Sequence, residues 1–278
     1  MTCAATGAAL VAFAGNSLLC RLALRPRAMD PASFTAVRIV TGAIVLLGIA
    51  VWRRQRGDLA PWGGSWQAAG ALFAYAAAFS FAYNELNAGT GALLLFGSVQ
   101  VTMIIGAMVR GERPRAREWL ALIIAATGVT VLVAPGLAAP PLGSAALMAC
   151  AGCAWGCYSL LGRRTADPIA ATTGNFARAG VFSCVLAVGF AANWHVETRG
   201  MILAMLSGGV TSALGYVTWY VALRGLAATR AALVQLSVPV LTAIGGVVLL
   251  AESFTAQLLI AAGLILGGVA VAVFGTRR

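Results

Sequence analysis

Lysine is absent from the 278 residues, so all 19 basic residues are arginine. A Walker A loop places a lysine on the nucleotide phosphates, and Schiff-base attachment needs a lysine amine. ATP hydrolysis by that loop and retinal-type chemistry are therefore excluded. Acidic residues number only eight and histidine only one, His195. With no HExxH and no GxSxG, nothing supports a zinc enzyme or a serine hydrolase. Charged residues make up 10% of the chain, against roughly 25% in a soluble domain. Too little polar surface remains to keep such a chain in water.

What is present is apolar. Hydrophobic residues make up 60%, mean hydropathy is +0.90, and they fall in long runs. A helix crosses the hydrocarbon core in roughly 20 apolar residues. Ten such segments are expected, at 4–24, 32–52, 66–84, 90–110, 117–134, 142–162, 169–192, 201–223, 229–250 and 255–275. The first lacks a basic leading region and is followed by further spans, which reads against a cleaved signal peptide. The expected fold is an all-α polytopic membrane protein. A net charge of +11 invites a nucleic-acid reading, but the arginines sit in short clusters between spans, where topology signals lie. With an inside N-terminus, thirteen of them (Arg53, Arg54, Arg56, Arg110, Arg113, Arg115, Arg117, Arg163, Arg164, Arg224, Arg230, Arg277 and Arg278) fall inside. Four (Arg21, Arg25, Arg27 and Arg199) fall outside. Both termini are expected in the cytoplasm, with the protein in the inner membrane.

The chain repeats itself at a period near 140 residues. Phe13-Ala14-Gly15-Asn16-Ser17 before Arg21 matches Trp155-Gly156-Cys157-Tyr158-Ser159 before Arg163. Asp30-Pro31 matches Asp167-Pro168, each an Asp cap followed by proline at the first helical position. Arg38 pairs with Arg178, Gln100 with Pro239, Glu112 with Glu252, and Gly128-Val129 with Gly268-Val269. The two copies are expected at 1–138 and 139–278. Five spans per copy is an odd number, so the second copy enters from the opposite side, as an inverted repeat. Two such halves can exchange shapes around a shared midplane site. A static duplicated bundle is the alternative.

This ordered set resembles the drug/metabolite transporter superfamily, in its ten-helix EamA-type members. The opening motif stands here as Phe13-Ala14-Gly15-Asn16-Ser17 with Arg21, with Phe13 where the family has tryptophan. Asp30, Pro31 and Arg38 match the start of the second helix, and Arg110-Gly111-Glu112-Arg113 matches the turn between the fourth and fifth. The resemblance implies a transporter, with bacterial exporters of amino acids and related metabolites as the nearest pattern. An exporter of cationic or aromatic drugs in the same fold remains an alternative. A membrane enzyme or a scaffold are alternatives of another class.

Polar side chains within spans are expensive and face a bundle interior or a watery cavity. Asn16 and Ser17 lie mid-span in the first copy, and Tyr158 and Ser159 in the second. Gln100 is equally deep. Its mate Pro239 removes a backbone donor and is expected to free the Gln235 carbonyl, so that Gln235 and Gln100 could hold an ammonium or amide. Trp155, Tyr216, Trp219, Tyr75, Tyr83 and Tyr220 would supply an aromatic wall for small zwitterions. Trp52, Trp62, Trp66, Trp119 and Trp194 read as interfacial belt residues. Arg38 and Arg178 bind a carboxylate, gate the path, or anchor at the interface. No acid falls at midplane, so no proton relay is indicated and facilitated export fits as well.

No cofactor or metal site is expected. Cys150, Cys153 and Cys157 share a helical face but have no second ligand pair. The partners are a small-molecule substrate and the bilayer, with no nucleic acid, and monomer or homodimer is left open. Gly152-x-x-x-Gly156 and Gly263-x-x-x-Gly267 allow close helix approach. The second motif is expected to pack within the chain rather than across a dimer.

Overall fold

In a computed structural model, all residues are described except 1, 26, 58–62, 112–115, 134–138, 164, 227–230, 232, 233, 236, 254 and 275–278. Among the described residues, ten long helices follow one another: α1 (Thr2–Leu24), α2 (Pro31–Gln55), α3 (Trp66–Tyr83), α4 (Ala88–Val109), α5 (Ala116–Val133), α6 (Leu142–Gly162), α7 (Pro168–Gly189), α8 (Thr198–Leu223), α9 (Ser237–Leu250) and α10 (Ala256–Phe274). Five of these are long and apolar enough to cross a membrane on length and composition alone: α1 from Cys3, α2, α4, α6 and α8. The protein is a polytopic, all-helical membrane protein built as two inverted five-helix repeats.

Packing obeys the repeat. Exchanging each helix for its counterpart five places on maps the main contacts onto themselves. Helices α2, α4 and α5 pack on their own mates α7, α9 and α10. The contacts of α3 with α6, α4 with α6 and α3 with α7 return as α8 with α1, α9 with α1 and α8 with α2. Such a map is what a pseudo-two-fold axis produces, and it sets α1, α2, α3, α6, α7 and α8 around the centre.

Local sequence explains the helix starts. The Asp30 carboxylate accepts the Ser33 N–H at 2.9 Å, and Pro31 opens α2. Asp167 accepts from Ile169 and Ala170 at 2.9 and 3.1 Å, with Pro168 opening α7. Each cap satisfies donors that a helix start otherwise leaves open. At the far end, Met29 bridges Val196 and the Asp30 N–H reaches the His195 carbonyl at 2.9 Å, joining the α1–α2 and α7–α8 turns.

Three expectations change. The eighth span begins at Thr198 and is not a uniform α-helix, because Ser207–Leu214 is π-helical. There the backbone of α2 lies against α8 so closely that a Cβ on Gly208 would meet the Arg38 carbonyl at 2.2 Å. The wider turn re-aims the polar side chains of that stretch. The ninth span is interrupted, with Gln235 in a turn before the helix Ser237–Leu250, and much of its expected beginning lies outside the described residues. Finally, Gly152 and Gly156 do sit tight against Leu95 and Thr102 of α4, but Gly263 and Gly267 have nothing within 4 Å of a modest added side chain. The close approach between α5 and α10 is made by Gly128 against Ile265 instead. Cys150, Cys153 and Cys157 are exposed along α6, as a lipid-facing stripe would be.

Candidate functional site

At the centre stands Arg38, with no solvent exposure. Its Nε donates to Ser212 Oγ at 2.9 Å, and its Nη2 donates to the hydroxyls of Tyr75 (3.1 Å) and Tyr216. Phe79 and Tyr75 lie against the guanidinium plane, both at 5.1 Å. Asn16 completes the network: its Nδ2 donates to Tyr75 Oη at 3.1 Å and its Oδ1 accepts from Ser207 Oγ at 2.6 Å. Thr211 and Ser212 also donate toward that oxygen, at 3.3 and 3.4 Å. The π stretch of α8 thus delivers three hydroxyls to one asparagine and one arginine.

Arg38 keeps one nitrogen, Nη1, buried with no partner. Its hydrogen-bonding neighbours are all neutral, so the ion is solvated by hydroxyls and rings but not neutralised. An arginine at this depth costs roughly 2.5–3.5 kcal/mol on insertion scales, and an unmade buried charged hydrogen bond adds to that. A site of this kind is complementary to an anion.

Around it lie rings. Trp155 is 4.6 Å from Tyr216, 4.9 Å from Tyr75, 5.1 Å from Phe13 and 5.4 Å from Tyr158. Trp219 donates from Nε1 to Ser159 Oγ at 3.2 Å and lies 5.6 Å from Phe13. Gln100 is buried with neither end of its amide partnered. It stands one helical turn from Phe96, which stacks on Phe13 at 6.5 Å, and one from Met103.

The structure distributes the remaining sequence candidates unevenly. Gln235 is not free: its Oε1 accepts from Trp155 Nε1 at 2.8 Å, and its Nε2 donates to the Ala231 carbonyl at 3.2 Å. Its own carbonyl accepts from the Val238 N–H at 3.0 Å, so the carbonyl that Pro239 was expected to release is already used. Pro239 and Ser17 are buried. Tyr83 joins the rings through Phe79, edge-on at 4.6 Å, and donates to the Ala88 carbonyl at 3.2 Å. Arg178 is not central. It sits toward the arginine-rich end, donating to the Gly63 and Gly174 carbonyls at 3.0 and 2.9 Å. Trp52, Trp66, Trp119 and Trp194 are exposed, and Trp62 lies outside the described residues. Ser207, Thr211 and Ser212 escaped sequence reading, although three small hydroxyl residues beside Gly208-Gly209 are an unusual mid-span run that pointed to them.

At the arginine-rich end a cavity of about 400 Å³ opens between α3, α6, α7 and α8, lined among others by Gly63, Ser65, Asp167, Asn175 and Tyr220. Burial pushes the Asp167 carboxyl up, but the hydrogen bond from Arg53, the Ala170 and Ile169 N–H groups and the Arg53 charge outweigh it and hold it below the usual aspartate range. A depressed folded pKa stabilises the fold above the unfolded value of about 3.9 and loses that contribution as pH falls through the lower folded value. Asp167→Ala is therefore expected to lower the melting temperature in detergent at pH 7. The loss is that of an N-cap, about 1 kcal/mol, and the gap from wild type should close on acidification below pH ~4. A gap unchanged down to pH 3 would show that the carboxylate's charge contributes nothing.

Comparison with known proteins agrees with this architecture. The model of the EamA-like transporter family matches residues 3–134 and again 143–274. An uncharacterized protein of Pseudomonas aeruginosa is 49% identical over 263 residues, covering 95% of this chain and 91% of its own. The uncharacterized transporter YwfM of Bacillus subtilis is 25% identical, covering 83% and 80%. A solved crystal structure at 22% identity superposes with a TM-score of 0.68 over 98% of both chains, a likeness of fold. Matched twice along its length and close to half identical to one relative, the chain belongs to the EamA-like transporter family.

Proposed function

We propose that this transporter exports amino acids or related small metabolites from the cytoplasm by alternating access, with Arg38 as the anchor for the substrate carboxylate. The inner membrane is its site, and the arginine-rich end faces the cytoplasm. One observation carries the reading: a fully buried guanidinium with an unpartnered Nη1 and no carboxylate among its hydrogen-bonding neighbours. Charge-assisted hydrogen bonds from arginine to a carboxylate are short and strong, and the hydroxyl network holds the fork in place before the substrate arrives. The ring cluster accommodates side chains of varied shape, and the unpartnered Gln100 amide offers a donor and an acceptor. The cavity at the arginine-rich end gives the approach from inside. The same fixed charge opposes the reading as an exporter of cationic drugs.

Purified protein in sealed vesicles should support saturable flux of at least one of the twenty amino acids or their simple derivatives. Vesicles that exchange none of them faster than protein-free controls would overturn the proposal.

A further inference from the structure

Among the described residues, the fixed charge along the route from the arginine-rich end to the centre is mostly positive. Three arginines are bonded to the wall of the open cavity. Arg53 pairs with Asp167 at 3.0 Å, Arg178 donates to the Gly63 carbonyl at 3.0 Å, and Arg224 donates to the Thr165 carbonyl at 3.2 Å and to that of Ala166. Asp167, the one acid among the described residues of the wall, is already used by Arg53 and by the α7 N–H groups. The starts of α3 and α7 border the same space and add partial positive charge. Inward, Tyr220 stacks on Tyr158 at 5.1 Å, and Tyr158 lies 6.2 Å from Tyr216, which holds Arg38. Three rings, Tyr220, Tyr158 and Tyr216, lead from the cavity to the second positive station.

Among the described residues, no acid beyond Asp167 answers these arginines. Among the described carboxylates, Asp30 caps α2, Glu85 accepts from Ser144, Glu197 meets His195, and Glu252 is held by Arg21 and the Ala88 N–H. All four belong to the opposite end. Among the described residues, an ammonium entering with the substrate would meet no unengaged carboxylate and would approach Arg38.

We propose that the transported species bears net negative charge: a small organic acid whose amine is absent, acylated or outweighed by a second carboxylate. This rests on the reading above, that the chain moves amino acids or related metabolites, and narrows its substrate class. Like unit charges ~6 Å apart at an effective dielectric near 20 disfavour a cation about a hundredfold. The direction of transport follows too. Over a full cycle the protein's own charges return, so the net charge moved is the substrate's. A potential of ~100 mV, negative inside, then favours the expelled anion about fiftyfold without any coupled proton.

The test uses wild-type protein in vesicles with potassium diffusion potentials set by valinomycin. N-acetyl-L-alanine, L-alanine and L-alaninamide carry charges of −1, 0 and +1 on one skeleton, and the same trio is built on leucine and phenylalanine. L-aspartate adds a free amine at net −1. Uptake of the anions, aspartate included, should exceed that of the zwitterions about tenfold and of the cations about hundredfold, and lumen-positive potential should accelerate it. Zwitterions or cations moving faster than their acylated forms would overturn the charge assignment and leave the transporter reading intact. Anion uptake that ignores voltage would also overturn it, since a second charge must then travel. Failure of every compound would instead remove the parent reading.

Discussion

Exchanging Arg38 for glutamine is expected to weaken substrate binding by at least about thirtyfold while leaving the protein folded. Removing one partner of a buried, hydrogen-bonded charge pair costs roughly 2–5 kcal/mol, or about 30- to 5,000-fold in affinity. The fold itself gains, because a buried charge no longer has to be solvated by Ser212, Tyr75 and Tyr216 in the middle of the bundle. Lost function with equal or raised thermal stability is the signature of a group kept for its ligand. Arg38→Lys should rescue only in part. It restores the charge but not the fork that serves Ser212, the two tyrosines and the substrate together. Equilibrium binding of the best substrate and melting in detergent check both halves. Binding within threefold of wild type in the glutamine variant would remove Arg38 from the site.

Much of this was legible before any coordinates. Repeat spacing and the Asp-Pro pairs gave the helix order, because hydrophobic runs and caps are local properties. Arginine asymmetry gave a proposed orientation for the same reason. The centre was legible only in outline. Asn16, Arg38, Trp155 and Tyr216 stand out as expensive residues within spans, yet which of them meet depends on how α1, α2, α3, α6 and α8 cross. Of the roles open to Arg178, its contacts fit an anchor toward the span end and not a central partner of Arg38. Inversion sends the mate to the opposite end, where it binds the Gly63 carbonyl. The Gln235–Pro239 reading failed because proline frees a carbonyl only if the helix would otherwise continue through it, and here Gln235 sits in a turn and accepts from Val238. The π stretch of α8 was invisible, since no residue type encodes it.

Glu252→Gln should unfasten the end opposite the arginine-rich one. Glu252 receives the Ala88 N–H on both oxygens, at 2.9 and 3.2 Å, and Arg21 Nε at 3.4 Å. Arg21 then reaches the Tyr83 and Asn84 carbonyls at 3.0 and 3.3 Å and Asn87 Oδ1 at 3.3 Å. Both side chains are only 7% exposed, so the pair is not a surface contact. It joins the second repeat, through Glu252, to the first, through α1 and the α3–α4 turn, and is therefore placed to hold that end shut. Breaking a buried pair by removing one charge costs roughly 3–5 kcal/mol. If half of that belongs to the closed state alone, the balance shifts by about tenfold to a hundredfold toward opening. Cys20, fully buried one residue before Arg21, reports the change. With Cys3, Cys150, Cys153, Cys157 and Cys184 replaced by alanine, an impermeant maleimide added from that side should label Cys20 at least tenfold faster in Glu252→Gln. Arg21→Gln should act alike, and transport should lose its normal rate as the opening balance tilts. The duplicated sequence places Glu112 and Arg163 as counterparts at the arginine-rich end, so their exchange should leave Cys20 labelling at or below its starting rate. Unchanged labelling in both Glu252→Gln and Arg21→Gln, with melting temperatures equal to wild type, would mean that this pair fastens nothing.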